Sequence, residues 1–395
     1  MKPCNEIRSA QFLDTYFPIV DGVVQTVHNY ATIMNRSSYC CVVVPQARTP
    51  YDDGQLPYDV LRCKAAQIPH WEYCMPMPAQ DHKMRDTLIS KKPDIFHAHS
   101  PICMGPYAGR LARKLGIPIV STFHSKYYDD VLRITKSKAL ARAITNSIVK
   151  FYESVDSVWA VSHGTAETLY SYGYKGDIFV INNGTHFTVP EHPEALKKEA
   201  AETFHLPSDK HILLFVGHQI WQKNLRVVLD TFRLLCNEGN DYCLVIVGNG
   251  YHEKQIQDYA ASLNLPEGSV LFPGRIVDQK LLSGMLLCGD LFFFPSIYDN
   301  APLVVREAAI MGLPSLLAAG SNAAESVEHN VSGFTAEANA EAMKTEIQRI
   351  FSTPGLLEKV GAEARRTIPV SWEDLIPQVY AKYGEIIEKK QLSEK

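Results

Sequence analysis

Short apolar segments alternate with helical patterns along the whole chain. In the first half we predict strands at Ile7–Leu13, Tyr39–Pro45, Asp94–His97, Ile117–Thr122, Val155–Val161 and Asp177–Asn182. In the second half we predict them at His211–Gly217, Tyr242–Gly248, Ser269–Phe272, Asp290–Pro295 and Pro314–Ala318. Several are continuously apolar, which is typical of strands buried on both faces of a parallel sheet. Strands that alternate with helices in this way predict an α/β fold.

The length of the chain predicts two domains, because 395 residues exceed what one hydrophobic core usually supports. A segment with three prolines around an Ala-, Glu- and Lys-rich stretch separates the two sets of strands. We therefore predict a first domain over 1–188, a linker over 189–209 and a second domain over 210–370. The remainder, 371–395, carries a helical pattern that we expect to pack back on the first domain.

Composition narrows the class of protein. No stretch approaches the roughly 20 apolar residues that span a bilayer, and the first residues lack the apolar core of a secretory signal. Nine cysteines without a CxxC pair or metal-ligand spacing are expected to be free thiols in a reducing cytoplasm. Residues 1–190 carry a net charge of +4 and the rest −8, which does not resemble a strongly basic nucleic-acid-binding domain.

Three segments of the second half follow strands, where open α/β sheets bind their ligands. In Gly217–Asn224, Lys223 lies at a predicted helix start and suits a phosphate, because helix N-termini present N–H groups and a positive dipole end. A solvated lysine is an equal alternative. In Val247–Tyr251, two glycines allow close approach of a ligand, but glycines also serve any tight turn.

The third segment follows the most apolar strand of the chain. Asp299 lies in a polar loop, a helix is predicted to begin near Pro302, and Glu307 lies about one and a half turns inside it. Carboxylates at these places can accept hydrogen bonds from sugar or ribose hydroxyls, while the first N–H groups of the helix can bind a diphosphate. The alternative is an ordinary N-terminal acid followed by a surface glutamate.

Two features of the first half carry possible chemistry. His97 and His99 lie on one face of a strand, as two metal ligands can. No acid or cysteine partner is positioned by sequence, so we reject a metal site there, and His97 can simply be a core histidine. Arg133–Tyr152 is rich in Lys and Arg, contains no acid and has one apolar helical face. Such a helix either lies on an anionic membrane or packs its apolar face into the core.

The chain resembles the family 4 glycosyltransferases of the GT-B fold. The matching segments, in the family's order, are Asp14–Val24, Asp94–Gly105, Ser121–Tyr128, Val161–His186, Gly217–Asn224, Asp299–Gly312 and Ser321–Phe334. The resemblance implies two Rossmann-like domains with parallel sheets facing across a cleft, the nucleotide-sugar being bound mainly by the C-terminal one. Ile95–Gly105 and Ser121–Tyr128 most resemble bacterial enzymes that glycosylate diacylglycerol.

The resemblance also implies roles for single residues. Lys223 would contact the donor diphosphate, Asp299 the sugar hydroxyls and Glu307 the ribose. Further donor contacts would come from Gly22, Gly217, His218, Asn300, Ala301, Pro302, Leu303 and Val304. His124 would contact the donor sugar or the acceptor near the reaction centre. His218 replaces the family's usual, permanently charged arginine and Asp299 replaces a glutamate, so either departure can alter donor choice or weaken activity.

These roles imply a retaining enzyme that moves a hexose, glucose, from a UDP-sugar to a membrane lipid such as diacylglycerol. We assign His124, Lys223, Asp299 and Glu307 to the reaction, without a general base, nucleophile, metal or cofactor; catalysis would rest on positioning and on stabilising the leaving diphosphate. We expect a cytoplasmic protein, peripheral on the inner face of the membrane through Arg133–Tyr152, with no nucleic-acid partner.

The alternatives are a soluble or polysaccharide-precursor acceptor, and an inactive sugar-nucleotide sensor or scaffold. A dinucleotide oxidoreductase is disfavoured because no GxGxxG follows the first strand.

Overall fold

The protein consists of two compact units. A computed structural model describes residues 3, 6–69, 73–239 and 241–393. The first unit comprises Met1–Gly184 together with Ser371–Lys395, and the second comprises Thr185–Val370. The ends of the second unit meet, since the N–H of Thr185 donates to the carbonyl of Val370 at 2.8 Å.

The first unit is built on a seven-stranded parallel sheet. Its strands are β1 Ser9–Phe12, β2 Cys40–Pro45, β3 Asp59–Cys63, β6 Ile95–Ala98, β7 Ile119–Phe123, β8 Ser157–Ala160 and β9 Ile178–Val180, and β4 Ala65–Gln67 pairs antiparallel with β5 Cys74–Pro76. Its helices are α1 Gly22–Met34, α2 His82–Ser90, α3 Met104–Leu115, α4 Tyr127–Thr135, α5 Lys138–Tyr152 and α6 His163–Ser171. The strand order is β3-β2-β1-β6-β7-β8-β9. The order reverses at β1, which places the ligand-binding edge at the carboxyl ends of β1 and β6.

The second unit repeats this plan with six parallel strands in the order β12-β11-β10-β13-β14-β15. Its strands are β10 His211–Val216, β11 Tyr242–Val247, β12 Val270–Gly274, β13 Leu291–Phe294, β14 Ser315–Ala318 and β15 Phe334–Ala336. Its helices are α7 Pro193–Thr203, α8 Leu225–Cys236, α9 Glu253–Ser262, α10 Gln279–Cys288, α11 Leu303–Ile310, α12 Ala340–Phe351 and α13 Leu356–Thr367. Here the order reverses between β10 and β13. The last helix, α14 Trp372–Ser393, belongs to the first unit.

The predicted α/β fold is confirmed, and each of the eleven predicted strands overlaps an observed one. The continuously apolar strands are central and buried; all four residues of β13 are fully buried. The sequence patterns missed β3, β4, β5 and β15. The edge strand β3 is only half-buried and the other three have three residues each, so none carries the long apolar run that identified the rest.

Two segment predictions are corrected. Residues 189–209, predicted to be a linker, contain α7, which packs on α10 inside the second unit. Ala200 on α7 is fully buried, and a side chain at Gly284 of α10 would lie 2.4 Å from the carbonyl of Leu196. The first division of the chain falls after Gly184, four residues before the predicted boundary.

The predicted helix over Arg133–Tyr152 is two helices. Lys136 adopts a left-handed backbone conformation with φ 52°, and Ser137 caps α5 by accepting the N–H of Leu140 at 3.3 Å. Ile148 and Tyr152 are buried, whereas Ile134 and Leu140 are 55% and 46% exposed. The apolar face therefore enters the core only in its second half. Among the described residues, no helix is long and apolar enough to cross a membrane.

Candidate active site

An ion pair lies where the strand order of the second sheet reverses. Lys223 ends a 3₁₀ turn after β10, and Asp299 lies in the loop after β13. Lys223 Nζ is 2.6 Å from Asp299 Oδ1, and the two side chains are only 12% and 17% exposed. The ammonium also lies 5.1 Å from the ring centroid of Phe294. The sequence predicted both residues at this edge of the sheet, and the structure brings them into direct contact.

Two polar side chains hold this ion pair in place. Ser296 is fully buried and donates its hydroxyl to Asp299 Oδ2 at 2.6 Å. Asn224 has φ 61° and donates its amide to the carbonyl of Pro295 at 3.0 Å, which ties the turn after β10 to the loop after β13. Neither role was predicted. The available signal was a polar residue that follows an entirely apolar strand after a single proline, as Ser296 does.

The loops after β10 and β11 lie directly against each other. Gln219 is fully buried and donates its amide to the carbonyl of Gly248 at 2.7 Å. A Cβ on Gly250 would lie 2.6 Å from the carbonyl of Gln219. Gly217 is partly exposed beside the stem of Lys223, and His218 is exposed. The glycines of Val247–Tyr251 therefore serve contact between two loops, which their sequence alone left open.

Gly248→Ala is expected to destabilise the protein by about 3 kcal/mol or more, because its Cβ would lie 2.0 Å from the carbonyl oxygen of Gly217, at a φ of 129°. Gly268→Ala is the matched control, since Gly268 also has positive φ but has open space around its Cβ position. It should cost only about 1 kcal/mol. Urea unfolding of both variants measures the difference, and equal losses would refute this account of the loop contact.

Glu307 lies in the second turn of α11 and is only partly exposed. Burial raises the pKa of its carboxyl from 4.5 to about 7. Asn300 is buried and accepts a hydrogen bond from the side chain of Asn322 at 2.8 Å. The four residues that lead into and begin α11 are partly exposed; they are Ala301, Pro302, Leu303 and Val304. The Lys223–Asp299 ion pair thus lies at the carboxyl ends of β10 and β13, and α11, with Glu307 in its second turn, begins four residues after Asp299. An ammonium, a helix N-terminus and carboxylates are groups that can bind an anion and hydroxyl groups.

The corresponding edge of the first unit holds Gly22 and His124. Gly22 is exposed at the start of α1, and Asp21 caps this helix by accepting the N–H groups of Val23 and Val24 at 2.9 and 2.8 Å. A Cβ on Gly22 would have no atom within 4 Å in the structure, so packing does not require a glycine there. Its predicted role in donor binding stays a prediction.

Three buried histidines lie behind this edge. His99 Nδ1 is 3.0 Å from His124 Nε2, and His97 Nδ1 is 2.6 Å from the hydroxyl of Tyr383. Burial lowers the pKa of His97 and His99 well below 6.5 and that of His124 to about 3, so all three are neutral. The described residues contain no group of three His, Cys, Asp or Glu side chains arranged to hold a metal ion.

Comparison with known families gives a consistent assignment for each unit. Residues 20–188 match the model of "Glycosyltransferase Family 4", and residues 197–367 match that of "Glycosyl transferases group 1". Together the two models account for most of the chain.

Two relatives have low sequence identity to this chain but align with most of its length. The chain is 24% identical over 317 residues to the alpha-monoglucosyldiacylglycerol synthase of Streptococcus pneumoniae, covering 78% of this chain and 70% of that protein. It is 21% identical over 399 residues to a GDP-mannose-dependent alpha-mannosyltransferase of Corynebacterium glutamicum, covering 99% of this chain and 92% of the relative.

Solved structures share the fold across the full length. The sucrose-phosphate synthase of Thermosynechococcus elongatus aligns with a TM-score of 0.78 at 16% identity, covering 97% of this chain and all of that one. Anabaena HepE, solved in complex with UDP and glucose, aligns with a TM-score of 0.75 at 15% identity, covering 96% of this chain and all of that one. At such identities the likeness concerns the fold.

Proposed function

Because this chain belongs to the family 4 glycosyltransferases of the GT-B fold, we propose that it transfers glucose from UDP-glucose to a membrane lipid such as diacylglycerol, with retention of the anomeric configuration. The observation that carries the proposal is the Lys223–Asp299 ion pair in the loops that precede α8 and α11, with Glu307 in the second turn of α11. It combines positive charge for a diphosphate with carboxylates for hydroxyl groups.

In this proposal Lys223 and the N–H groups that begin α11 stabilise the departing diphosphate. Preorganised charge of this kind can lower the barrier without a metal ion or cofactor, so we propose neither. Asp299 accepts hydrogen bonds from the sugar and Glu307 from the ribose. His218, exposed beside Gly217, takes the place of the family's arginine and adds charge only when protonated.

The lipid acceptor is supported by the surface of α4 and α5. Ile134 and Leu140 are exposed apolar side chains, and the basic residues around them, Arg133, Lys136, Lys138 and Arg142, are exposed as well. Exposed apolar groups among basic ones favour binding to an anionic membrane. The name of the Streptococcus pneumoniae relative supports diacylglycerol as the acceptor and glucose as the sugar. We therefore propose a peripheral location on the inner face of the membrane.

The direct test measures nucleotide release from the purified protein. UDP-glucose and GDP-mannose are each offered with and without anionic liposomes that contain diacylglycerol, and the glycolipid is identified. We expect UDP release that requires the liposomes. Release of GDP with a mannosylated product would favour the second candidate donor, which the Corynebacterium glutamicum relative suggests. Tight nucleotide binding without release would indicate a sensor, and release independent of liposomes a soluble acceptor.

Replacing both Ile134 and Leu140 by glutamine is expected to reduce binding to anionic liposomes at least tenfold. Each loses an exposed apolar side chain worth about 1 kcal/mol or more on burial in the membrane. Ile89→Gln on α2 is the matched control, being an exposed isoleucine of the same unit outside this surface. Co-sedimentation with liposomes measures the effect. Unchanged binding of the double variant would remove α4 and α5 from the membrane contact.

A further inference from the structure

A chain of hydrogen bonds runs through the interior of the first unit and ends on His124. Gln11 on β1 is fully buried, and its Oε1 is 2.9 Å from His99 Nε2. His99 directly follows β6 and is 1% exposed, and its Nδ1 is 3.0 Å from His124 Nε2. Hydrogen bonds thus connect Gln11 to His99 and His99 to His124. The three residues lie on, or directly after, the neighbouring strands β1, β6 and β7.

The orientation of the Gln11 amide is set by its other neighbours. Its Nε2 lies 4.0 Å from the thioether of Met34, which can only accept, and 3.3 Å from the hydroxyl of Ser9. It also lies 3.5 Å from the hydroxyl of Tyr383. Ser9 donates its own hydroxyl proton to the same sulfur at 3.6 Å and therefore accepts from Gln11, so the amide nitrogen lies on this side and the amide oxygen faces His99. An amide oxygen only accepts, so His99 Nε2 must carry the proton.

This constraint passes from one histidine to the next. Both rings are neutral, since burial lowers their pKa values, so a proton on His99 Nε2 leaves a lone pair on His99 Nδ1. The contact between His99 Nδ1 and His124 Nε2 is a hydrogen bond only if His124 donates it. The proton of His124 is therefore on Nε2, and its Nδ1 is an acceptor.

We infer that Gln11 and His99 are positioning residues that fix His124 in the Nε2–H tautomer, which leaves its Nδ1 with a lone pair. The inference rests on the proposed function in one respect, namely that His124 meets the donor sugar or the acceptor. A ring nitrogen with a lone pair can accept a hydrogen bond but cannot donate one.

His97 provides an internal comparison. Its ring stacks on that of His99 with centroids 4.1 Å apart, and it is equally buried. Its own hydrogen bonds run to the hydroxyls of Tyr383 and Thr122, both at 2.6 Å. Tyr383 lies between His97 and Gln11, because its hydroxyl is 2.6 Å from His97 Nδ1 and 3.5 Å from Gln11 Nε2. A substitution at His97 that keeps an acceptor at the Nδ1 position therefore leaves the line from Gln11 to His124 intact.

The test reads the tautomers directly. Long-range proton–nitrogen NMR spectra of the ¹⁵N-histidine-labelled full chain distinguish Nε2–H from Nδ1–H, and the signals of His124 are assigned by their loss in His124→Gln. In the wild type without substrate we expect His124 as the Nε2–H tautomer at pH 7. Finding Nδ1–H would overturn the inference, whether or not the protein transfers sugar. Absence of sugar transfer with the expected tautomer would instead refute only the proposed function.

Variants then separate positioning from packing. In His99→Asn the side-chain oxygen lies near the former Nδ1 and can still accept from His124, whereas His99→Leu offers no acceptor. We expect His99→Asn to keep the Nε2–H tautomer and activity within threefold of wild type. His99→Leu and Gln11→Leu should give mixed tautomers of His124 and at least tenfold slower transfer. His97→Asn should lower the melting temperature but leave the His124 signals unchanged. Mixed tautomers in His97→Asn, or an unchanged tautomer in both leucine variants, would overturn the inference.

Discussion

Glu307→Gln is expected to be more stable than the wild type at pH 8 and at least tenfold slower in sugar transfer. Burial raises the pKa of Glu307 from 4.5 to about 7. Between pH 4.5 and about pH 7, Glu307 keeps its proton in the folded protein but has lost it in the unfolded chain. The free energy of unfolding therefore falls as the pH rises through this range. Above pH 7 the ionised carboxylate costs about 3 kcal/mol, which a neutral glutamine avoids.

Urea unfolding at pH 8 and at pH 4.5 measures this difference. The gain from Glu307→Gln should approach about 3 kcal/mol at pH 8 and vanish at pH 4.5, where the carboxyl is protonated in the folded state. Glu199→Gln, on an exposed position of α7, is the control and should change neither stability nor transfer. A variant that is no more stable at pH 8 would mean that Glu307 is not held in a desolvated site.

The loss of transfer follows from the proposed ribose contact. A carboxylate accepts stronger hydrogen bonds from hydroxyl groups than a neutral amide does. With a pKa near 7, the affinity of the wild type for UDP-glucose should fall by up to about tenfold between pH 8 and pH 6, and that of Glu307→Gln should stay level over this range. Wild-type transfer rates in the variant would refute the assignment of Glu307 to the donor site.

Lys223→Ala is expected to reduce kcat/KM by about a hundredfold to a thousandfold, the range found for kcat when one preorganised donor to a developing negative charge is removed. It should also lower stability by about 1 to 3 kcal/mol, because Asp299 is mostly buried and would lose its cation. Steady-state kinetics with UDP-glucose and urea unfolding measure the two effects.

Lys254→Ala is the matched control for Lys223→Ala. Lys254 pairs with Asp258 in the same unit, but these side chains are 87% and 63% exposed, so the pair contributes little. Asp299→Glu should retain transfer if the same carboxylate merely moves by one methylene, since the family usually has glutamate there. Full activity in Lys223→Ala would contradict the proposed site.

The sequence predicted what depends on local pattern. Continuous apolar runs located the central strands, and the turn chemistry around Pro302 located the start of α11 within one residue. The break between α4 and α5 was missed because Lys136 adopts a left-handed conformation that no glycine or proline announces.

The sequence did not predict contacts between segments that are distant in the chain. Gln219 meets Gly248 across 29 positions, and Gln11 meets His99 across 88. Lys223 and Asp299 were both predicted at the edge of the sheet, but they are 76 residues apart and their 2.6 Å contact depends on β10 and β13 lying side by side. The family resemblance gave these residues roles, and the structure adds the partners that hold them.

The placement of α14 in the first unit imposes an order on how the protein is made. Trp372 and Tyr383 are fully buried in that unit, and Tyr383 bonds to His97. The ribosome therefore finishes the whole of Thr185–Val370 before it supplies the side chains that complete the first core. The second unit can fold as soon as its own chain has emerged, while the nascent first unit still exposes the surface that α14 will cover.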